Sequence, residues 1–296
     1  MEMTETTMPN ILFVINPKAG SEKKNHQLLI QNYCKTLPWS VHFYEMTGLN
    51  DGDELDKSIV LLKPATIAAV GGDGTISLVA KKILGTSINL AIIPAGSANG
   101  MAKELNISTD MNDALTLLKN GQIKRADVLM VNNILCIHLS DIGLNAQLIK
   151  YFEQDNLRGK WGYAKLALKV FFRRQNMWVN ICTADQVLKR NTLMVVIANA
   201  SKYGTGAVIN PKGDLYDGLF EVVIIKQIGL LTLLKMWLNP SGFSPDHIEV
   251  IQTNKVIIQT KKRMHFQVDG EYIGKVQKVN AKILQAQLNI IVPKGT

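Results

Sequence analysis

Residues 66–75 read Thr66-Ile67-Ala68-Ala69-Val70-Gly71-Gly72-Asp73-Gly74-Thr75, and this stretch decides the fold. An apolar run, Thr66 to Val70, feeds into a loop of three glycines around one carboxylate. Ile76, Val79, Ala80 and Ile83 follow at i, i+3, i+4 and i+7, the spacing of one helix face. The reading is strand, tight loop, helix. Glycines let the backbone approach a phosphate closely and turn several N–H groups toward it. The helix N-terminus behind them adds a positive dipole end. The carboxylate of Asp73 has no place in a pure anion cradle. It points to magnesium or proton chemistry beside the phosphates.

The same alternation extends outward on both sides. Ile11–Ile15, Trp39–Tyr44 and Leu90–Ile93 read as further strands. Runs near 22–35, 53–62, 75–84 and 111–119 read as helices, the last stopped by Gly121. Strand–helix alternation predicts a doubly wound parallel α/β domain over residues 1–127. Ligands of such sheets bind beyond the carboxyl ends of the strands, so the loops at Asn16, Asp73 and Ser97 are expected to converge. From about Ala126 the texture changes. Val128–Val131 and Leu135–Leu139 flank an Asn132-Asn133 turn. Short apolar runs follow at Met177–Cys182, Leu193–Ala198, Phe220–Ile225, Ile248–Ile251, Lys255–Gln259 and Met264–Val268. These predict an antiparallel β-sandwich domain over 128–285, with helical insertions near 160–174 and 229–238.

Composition narrows the class. Of 296 residues, 47% are apolar and 19% charged, which supports a buried core and excludes a disordered chain. Cys34, Cys136 and Cys182 build neither a disulfide framework nor a zinc spacing. The stretch Phe220–Leu238 is broken by Glu221, Lys226, Gln227 and Lys235, which argues against a membrane span. The first ten residues carry no export or lipidation signal, so a cytoplasmic protein is the expectation. A net charge of +9 favours an anionic partner. Aromatics are 6% and are not interleaved with the basic residues, so no nucleic-acid platform is expected. Lys165, Lys169 and Arg173, with Arg174, form a basic stripe beside Trp161, Phe171 and Phe172. That pattern fits peripheral contact with an anionic membrane at its inner face.

Four more segments accompany the glycine block in order. They are Asn16-Pro17-Lys18-Ala19-Gly20, Pro94-Ala95-Gly96-Ser97-Ala98-Asn99-Gly100, Asp214-Leu215-Tyr216-Asp217-Gly218 and Val268-Asp269-Gly270-Glu271. As an ordered set they resemble the diacylglycerol kinase catalytic-domain family of lipid kinases, which includes sphingosine and ceramide kinases. The resemblance implies an ATP-dependent kinase acting on a lipid hydroxyl, with Mg2+, and a homodimer is compatible with it. It also implies that the C-terminal segment 286–296 returns to the first domain.

The chemistry of phosphoryl transfer needs a phosphate cradle, magnesium and a proton acceptor. No P-loop is present, so Gly71, Gly72, Asp73, Gly74, Thr75, Ile76 and Ser77 are the expected nucleotide contacts. Asn16 and Lys18 on the first loop, and Gly96, Ser97 and Asn99 on the third, are further candidates. Thr47 matches the family's nucleotide-contacting threonine. The resemblance ties Asp73, Asp269 and Glu271 to catalysis and leaves the base open between Asp269 and Glu271. It places a structural magnesium at Asp217 with the carbonyls of Asp214 and Leu219. Asp127 matches a further acidic member of the network around that metal. Ser77-Leu78 and Gly100 depart from bacterial diacylglycerol kinases, Gly100 standing where those have an aspartate. The competing readings are an NAD kinase, which shares the glycine block, and a non-catalytic nucleotide- or lipid-binding regulator of the same fold.

Overall fold

The computed structural model describes residues 9–20, 25–155, 175–203, 207–208, 213–227 and 248–295. The chain divides into two units, Met1–Ala126 with Gln287–Thr296, and Asp127–Ala286. Asp127, expected to close the first domain, therefore opens the second.

In the first unit β1 (Asn10–Ile15), β2 (Ser40–Glu45), β3 (Thr66–Gly71) and β4 (Asn89–Pro94) run parallel in the order β2-β1-β3-β4. Asn289 and Ile290 add a parallel strand on β4; they are the end of β16 (Glu271–Val292). Helix α1 (His26–Cys34) packs on α5 (Met111–Asn120), and α2 (Asp51–Leu62) packs on α3 (Asp73–Ile83). These pairs are the two helical layers of a doubly wound sheet. Strand β3 is buried along its whole length, which is why it reads as a continuous apolar run. A short helix, α4 (Gly100–Glu104), follows β4. At Gly121 the backbone turns extended and α5 ends; a Cβ there would sit 2.6 Å from Ile291 Cγ2 and 2.7 Å from the Leu117 carbonyl, so the position has room only for glycine.

Strand β5 (Gln122–Val131) leads into the second unit, where the strand pairs with a described register are antiparallel. Strand β6 (Ile134–Cys136) returns on β5 through Asn132 and Asn133, whose φ of 48° and 64° suit a hairpin turn. Strand β7 (Leu139–Gly143) and helix α6 (Leu144–Asp155) come next. The remaining strands are β8 (Met177–Cys182), β9 (Val187–Thr192), β10 (Met194–Ala198), β11 (Lys202–Tyr203), β12 (Ala207–Val208), β13 (Phe220–Ile225), β14 (Ile248–Thr253) and β15 (Lys255–Val268). The main order is β14-β13-β10-β7-β15-β16, with β8 paired to β15 and β9 to β8. Val179, Ile181, Val195, Ile197, Phe220, Val222, Val256 and Ile258 fill the main core of this sandwich. Met194, Val196, Val223 and Ile225 turn the other way into a second cluster, so β10 and β13 are buried on both faces. Arg190 grips Glu249 with two bonds of 2.8 Å and Lys226 adds a third at 2.9 Å. Arg190, opposed by burial and joined by Lys226, holds the Glu249 carboxyl down to about 2.

Three sequence expectations change. Leu135–Leu139, read as one strand, is split between β6 and β7, because a carboxylate draws the intervening N–H groups out of the ladder. Lys255–Gln259 and Met264–Val268 are one strand with a register shift between Gln259 and Met264. Helix α6 and strand β9 were not anticipated. The helices expected near 160–174 and 229–238, and the basic stripe from Lys165 to Arg174, lie outside the described residues.

His265 on β15 shares a 2.8 Å hydrogen bond with the Tyr272 hydroxyl. Burial, then Lys275 and Lys150, push its imidazole down from 6.5 to about 4. Between those values the unfolded chain binds a proton that the folded chain refuses. Stability should therefore fall as pH drops from about 6.5 to about 4. Urea unfolding across that range should show this slope in the wild type and a flatter one in His265→Gln.

Candidate functional site

Three loops of the first unit meet at the carboxyl ends of β1, β3 and β4. The Gly71 carbonyl accepts the N–H groups of Ala95 (2.9 Å) and Gly96 (3.2 Å), joining the second loop to the third. The Asn16 N–H donates to the Val70 carbonyl at 3.0 Å, and Asn16 Nδ2 lies 3.4 Å from Thr75 Oγ1, joining the first. Gly72 and Gly96 touch backbone to backbone. A Cβ on Gly96 would stand 2.5 Å from the Gly72 Cα, and one on Gly20 would stand 2.9 Å from the Ala95 carbonyl. Glycine is required here for close approach. Gly74 faces open space.

Asp73 is the first residue of α3, and its carboxylate reaches across to the third loop. Oδ2 accepts the Gly100 N–H at 3.0 Å and Oδ1 accepts the Met101 N–H at 2.9 Å. Asp73 thus caps α4, a structural duty that the sequence did not disclose. Asn99 stands at the cap position with φ of 50°, yet its side chain does not cap. Its Oδ1 accepts the Gly96 N–H and its Nδ2 donates to the Gly96 carbonyl, both at 2.9 Å, which closes the Gly96–Asn99 turn on itself. Ser97 is exposed.

The expected phosphate contacts separate into two groups. The side chains of Thr75, Ile76 and Ser77 are buried. The N–H groups of Thr75 and Ile76 are spent on the Gly72 carbonyl, at 3.0 and 3.2 Å. At the start of α3 the amides left for an anion are those of Asp73 and Gly74. Lys18 is exposed, and its Nζ would lie 3.6 Å from a Cβ on Gly48, which brings it beside the Thr47 turn. That turn is held by Asp51, a buried carboxylate that sequence reasoning missed. Asp51 accepts the N–H of Thr47 (2.8 Å), the N–H of Gly48 (2.9 Å) and the hydroxyl of Tyr44 (2.8 Å). Burial pushes the Asp51 carboxyl up, but the bonds from Thr47, Tyr44 and Gly48 outweigh it and hold it below the ordinary range. Burial, then Asp51, pushes the Tyr44 hydroxyl up to about 12.

The second unit carries its own carboxylates. Asp269, in the left-handed region at φ 48°, anchors the break between β6 and β7. Its Oδ2 accepts the Ile137 N–H at 2.9 Å. Its Oδ1 accepts the N–H groups of His138 (3.0 Å) and Leu139 (3.2 Å) and lies 3.3 Å from Cys136 Sγ. Burial, then Asp269, pushes the Cys136 thiol well up, so it remains a donor. Glu271, two residues on, is exposed. Asp141, buried beneath, accepts the N–H of Ala146 at 2.9 Å, Asn145 Nδ2 at 2.6 Å and Gln267 Nε2 at 2.5 Å. An aspartate just ahead of Leu144, Leu148 and Tyr151 is a cap signal that could have located α6. His138 and Asn199 are cross-strand neighbours through a 3.1 Å backbone bond. His138 Nε2 and Asn199 Oδ1 are both buried without a partner, a slot suited to a water or a hydroxyl.

The Asp214–Leu219 turn is tied to its surroundings by Asp127. Buried Asp127 accepts the Gly218 N–H and the Ala286 N–H, each at 2.7 Å. Asp214 Oδ1 accepts the Tyr216 N–H at 3.0 Å, and Asp217 Oδ1 accepts the Leu219 N–H at 2.9 Å. Gln252 Nε2 sits between Asp217 Oδ2 (3.0 Å) and Glu221 Oε1 (3.2 Å). Two carboxylate oxygens therefore flank one donor position. A hard cation takes oxygen donors of this kind, carboxylates together with backbone carbonyls. Among the described residues no cluster of three or more His, Cys, Asp or Glu is present, so carbonyls would have to complete such a shell.

Comparison with known proteins places this geometry. Residues 10–131 match the model of the diacylglycerol kinase catalytic domain, and 141–292 match the YegS C-terminal NAD kinase beta sandwich-like domain. A diacylglycerol kinase of Bacillus subtilis is 24% identical over 300 residues, covering 97% of both chains. A protein named "Probable lipid kinase YegS-like" from Pectobacterium atrosepticum is 23% identical, covering 96% of both. The crystal structure of a diacylglycerol kinase from Bacillus anthracis matches the fold with a TM-score of 0.75 at 19% identity, covering 98% of this chain and 99% of that one. An NAD kinase from Archaeoglobus fulgidus in complex with ATP is a more distant likeness, with a TM-score of 0.56 at 13% identity over 96% and 94%.

The contact between Gly72 and Gly96 leaves no room for a methyl group. Gly96→Ala should cost about 1–3 kcal/mol, and Asp73→Asn, which weakens the α4 cap, about 1 kcal/mol. Urea unfolding of the two variants measures both. A silent Gly96→Ala would mean that the loops do not meet as described.

Proposed function

Because the chain belongs to the diacylglycerol kinase catalytic-domain family of lipid kinases, we propose that it transfers the γ-phosphoryl group of ATP to the hydroxyl of a lipid. The observation that carries this is the meeting of the Asn16, Gly72–Gly74 and Gly96–Asn99 loops around free backbone amides at the start of α3. ATP bound there would use the Asp73 and Gly74 N–H groups, with Lys18 and the Thr47 turn at one side. Ser97 offers a free hydroxyl on the third loop. Asn16 and Asn99 act by holding the loops in place. Asp73 has both oxygens on α4, each with a lone pair to spare, and orients what lies at the glycine loop.

The proton of the acceptor hydroxyl needs a fixed carboxylate with a spare lone pair. Asp269 meets that description: Oδ1 is filled, whereas Oδ2 accepts one N–H and keeps one position. We assign the base to Asp269 Oδ2 and a supporting role to the exposed Glu271. Magnesium, when bound, would neutralise phosphate charge and organise the second unit. The residues that fit it are Asp217, with the Asp214 and Leu219 carbonyls, and Glu221 beside them. The acceptor we favour is a diacylglycerol-like lipid, ahead of a sphingoid base. A sphingoid ammonium would need a desolvated carboxylate partner, and at position 100 this chain carries glycine.

The test is turnover of radiolabelled ATP with a panel of lipid extracts, products being identified by mass. Labelled lipid is expected. Label in NADP with NAD as acceptor, or nucleotide binding with no labelled product, would overturn the proposal. Asp269→Asn should lower turnover by about 10²–10⁴-fold and Glu271→Gln by less. The reverse order would exchange their roles. Asp217→Ala should raise the magnesium concentration needed for half-maximal turnover while leaving ATP binding intact.

A further inference from the structure

The outer face of β9, β8, β15 and β16 gathers Lys189, Lys255, Lys261, Lys278 and Lys282, and none of the described residues paired with them in register is acidic. Burial along β8 alternates, with Met177, Val179 and Ile181 inside and Trp178 and Asn180 outside. Register fixes the neighbours. Lys189 lies opposite Asn180, Asn180 opposite Gln259, and Gln259 opposite Lys278. One row across the sheet is therefore Lys189–Asn180–Gln259–Lys278. In a parallel row Lys255 lies directly opposite Lys282, both exposed. Like charges at directly opposed positions destabilise a sheet, and neither lysine has an acidic partner in register. The acidic residues at these strands' connections are Asp185, in the β8–β9 turn, and Asp269 with Glu271, at the β15–β16 turn.

Where β15 shifts register, the face is concave. A groove of ≈ 420 Å³ opens there, lined by Trp178, Lys189, Lys261, Lys278 and the amides of Gln259 and Gln277. Trp178 is 47% exposed, and Lys189 Nζ lies 5.3 Å from its ring centroid. Val187, at the end of the same face, is 74% exposed. An exposed tryptophan and an exposed aliphatic, ringed by lysines and amide donors, match the interface of a bilayer with an anionic headgroup layer.

We propose that this face of the second unit docks on an anionic lipid surface, with a phosphate headgroup in the groove between Lys189, Lys261 and Lys278 and Trp178 at the level of the headgroups. The inference does not rest on the kinase reading, because vesicle binding needs no turnover.

The test uses the full chain with vesicles of phosphatidylcholine alone and of phosphatidylcholine mixed with phosphatidylglycerol. Binding is expected only to the mixed vesicles and should fall with added salt. Each Lys→Gln change at 189, 261 or 278 should weaken partitioning about fivefold, and the triple variant about a hundredfold. Tryptophan emission should shift to the blue on binding, and Trp178→Phe should abolish the shift. All four changes lie on exposed positions; an unaltered thermal midpoint confirms that each variant is folded, and single variants replace the triple one if it is not. Lys35→Gln with Lys63→Gln and Lys119→Gln, exposed lysines of the first unit, is the charge-matched control for the triple variant. Four results overturn the proposal. One is the absence of binding to mixed vesicles, and another is an equal loss in the control. A third is binding to mixed vesicles that added salt leaves unchanged. The last is tighter binding of an oligonucleotide at the same lysines.

Discussion

A backbone N–H that leaves its ladder must find another acceptor, and in this protein four aspartates answer that constraint at breaks on which the loops depend. Asp51 takes the N–H groups of Thr47 and Gly48; Asp73 takes Gly100 and Met101; Asp127 takes Gly218 and Ala286; Asp269 takes three in a row from Ile137 to Leu139. A carboxylate is the strongest single acceptor available, because charge shortens and strengthens its bonds. Each bridges segments distant in sequence or closes a turn that neither helix nor sheet could satisfy. Remove these carboxylates and the loops at the strand ends lose their shape, although the apolar cores could still form.

The same residues therefore serve structure and chemistry together. Asp73 is a cap and a candidate functional group, and Asp269 is an anchor and a candidate base. A side chain held by two or more backbone donors has little rotational freedom left. The cost of ordering it is met during folding and not at each turnover. The glycines do the complementary task. Gly72 and Gly96 bring two loops into backbone contact, so the free amides at the start of α3 stand on a surface with no side chain above it.

The strands and helices of the first unit were readable because their periods are clean, and α1 and α5 open on the conventional side-chain caps Asn25 and Asp110. The glycine block, the Asn132-Asn133 turn and the stop at Gly121 each mark a local physical demand. The second unit was readable as β but not in detail. Strands β10 and β13 are buried on both faces, so they show apolar runs in place of alternation, and register cannot be inferred from such runs. The split between β6 and β7 was hidden because its cause, Asp269, lies far along the chain. For the same reason Asp73 looked free of structural duty: its partners are the amides of Gly100 and Met101, which any sequence would supply. Asp51 escapes a sequence reading likewise, because its partners include the backbone amides of Thr47 and Gly48. Ile76 and Ser77 adjoin the glycines, which makes them ligand contacts by sequence, whereas the helix turns their side chains inward. What composition did carry was the excess of lysine, although the face that gathers it emerges only from strand register.

Strand β16 has a consequence for how the protein is made. Its last residues pair with Asn89 and Leu90, so the α/β sheet includes a strand that leaves the ribosome after the whole second unit. Until then β4 presents unpaired N–H and C=O groups, the template on which nascent chains aggregate. The sequence separation of that pairing raises the contact order of the unit and slows its closure. The intervening β-rich unit has all its strands available earlier, and it can therefore be complete while the unit that began first is still waiting for its final strand.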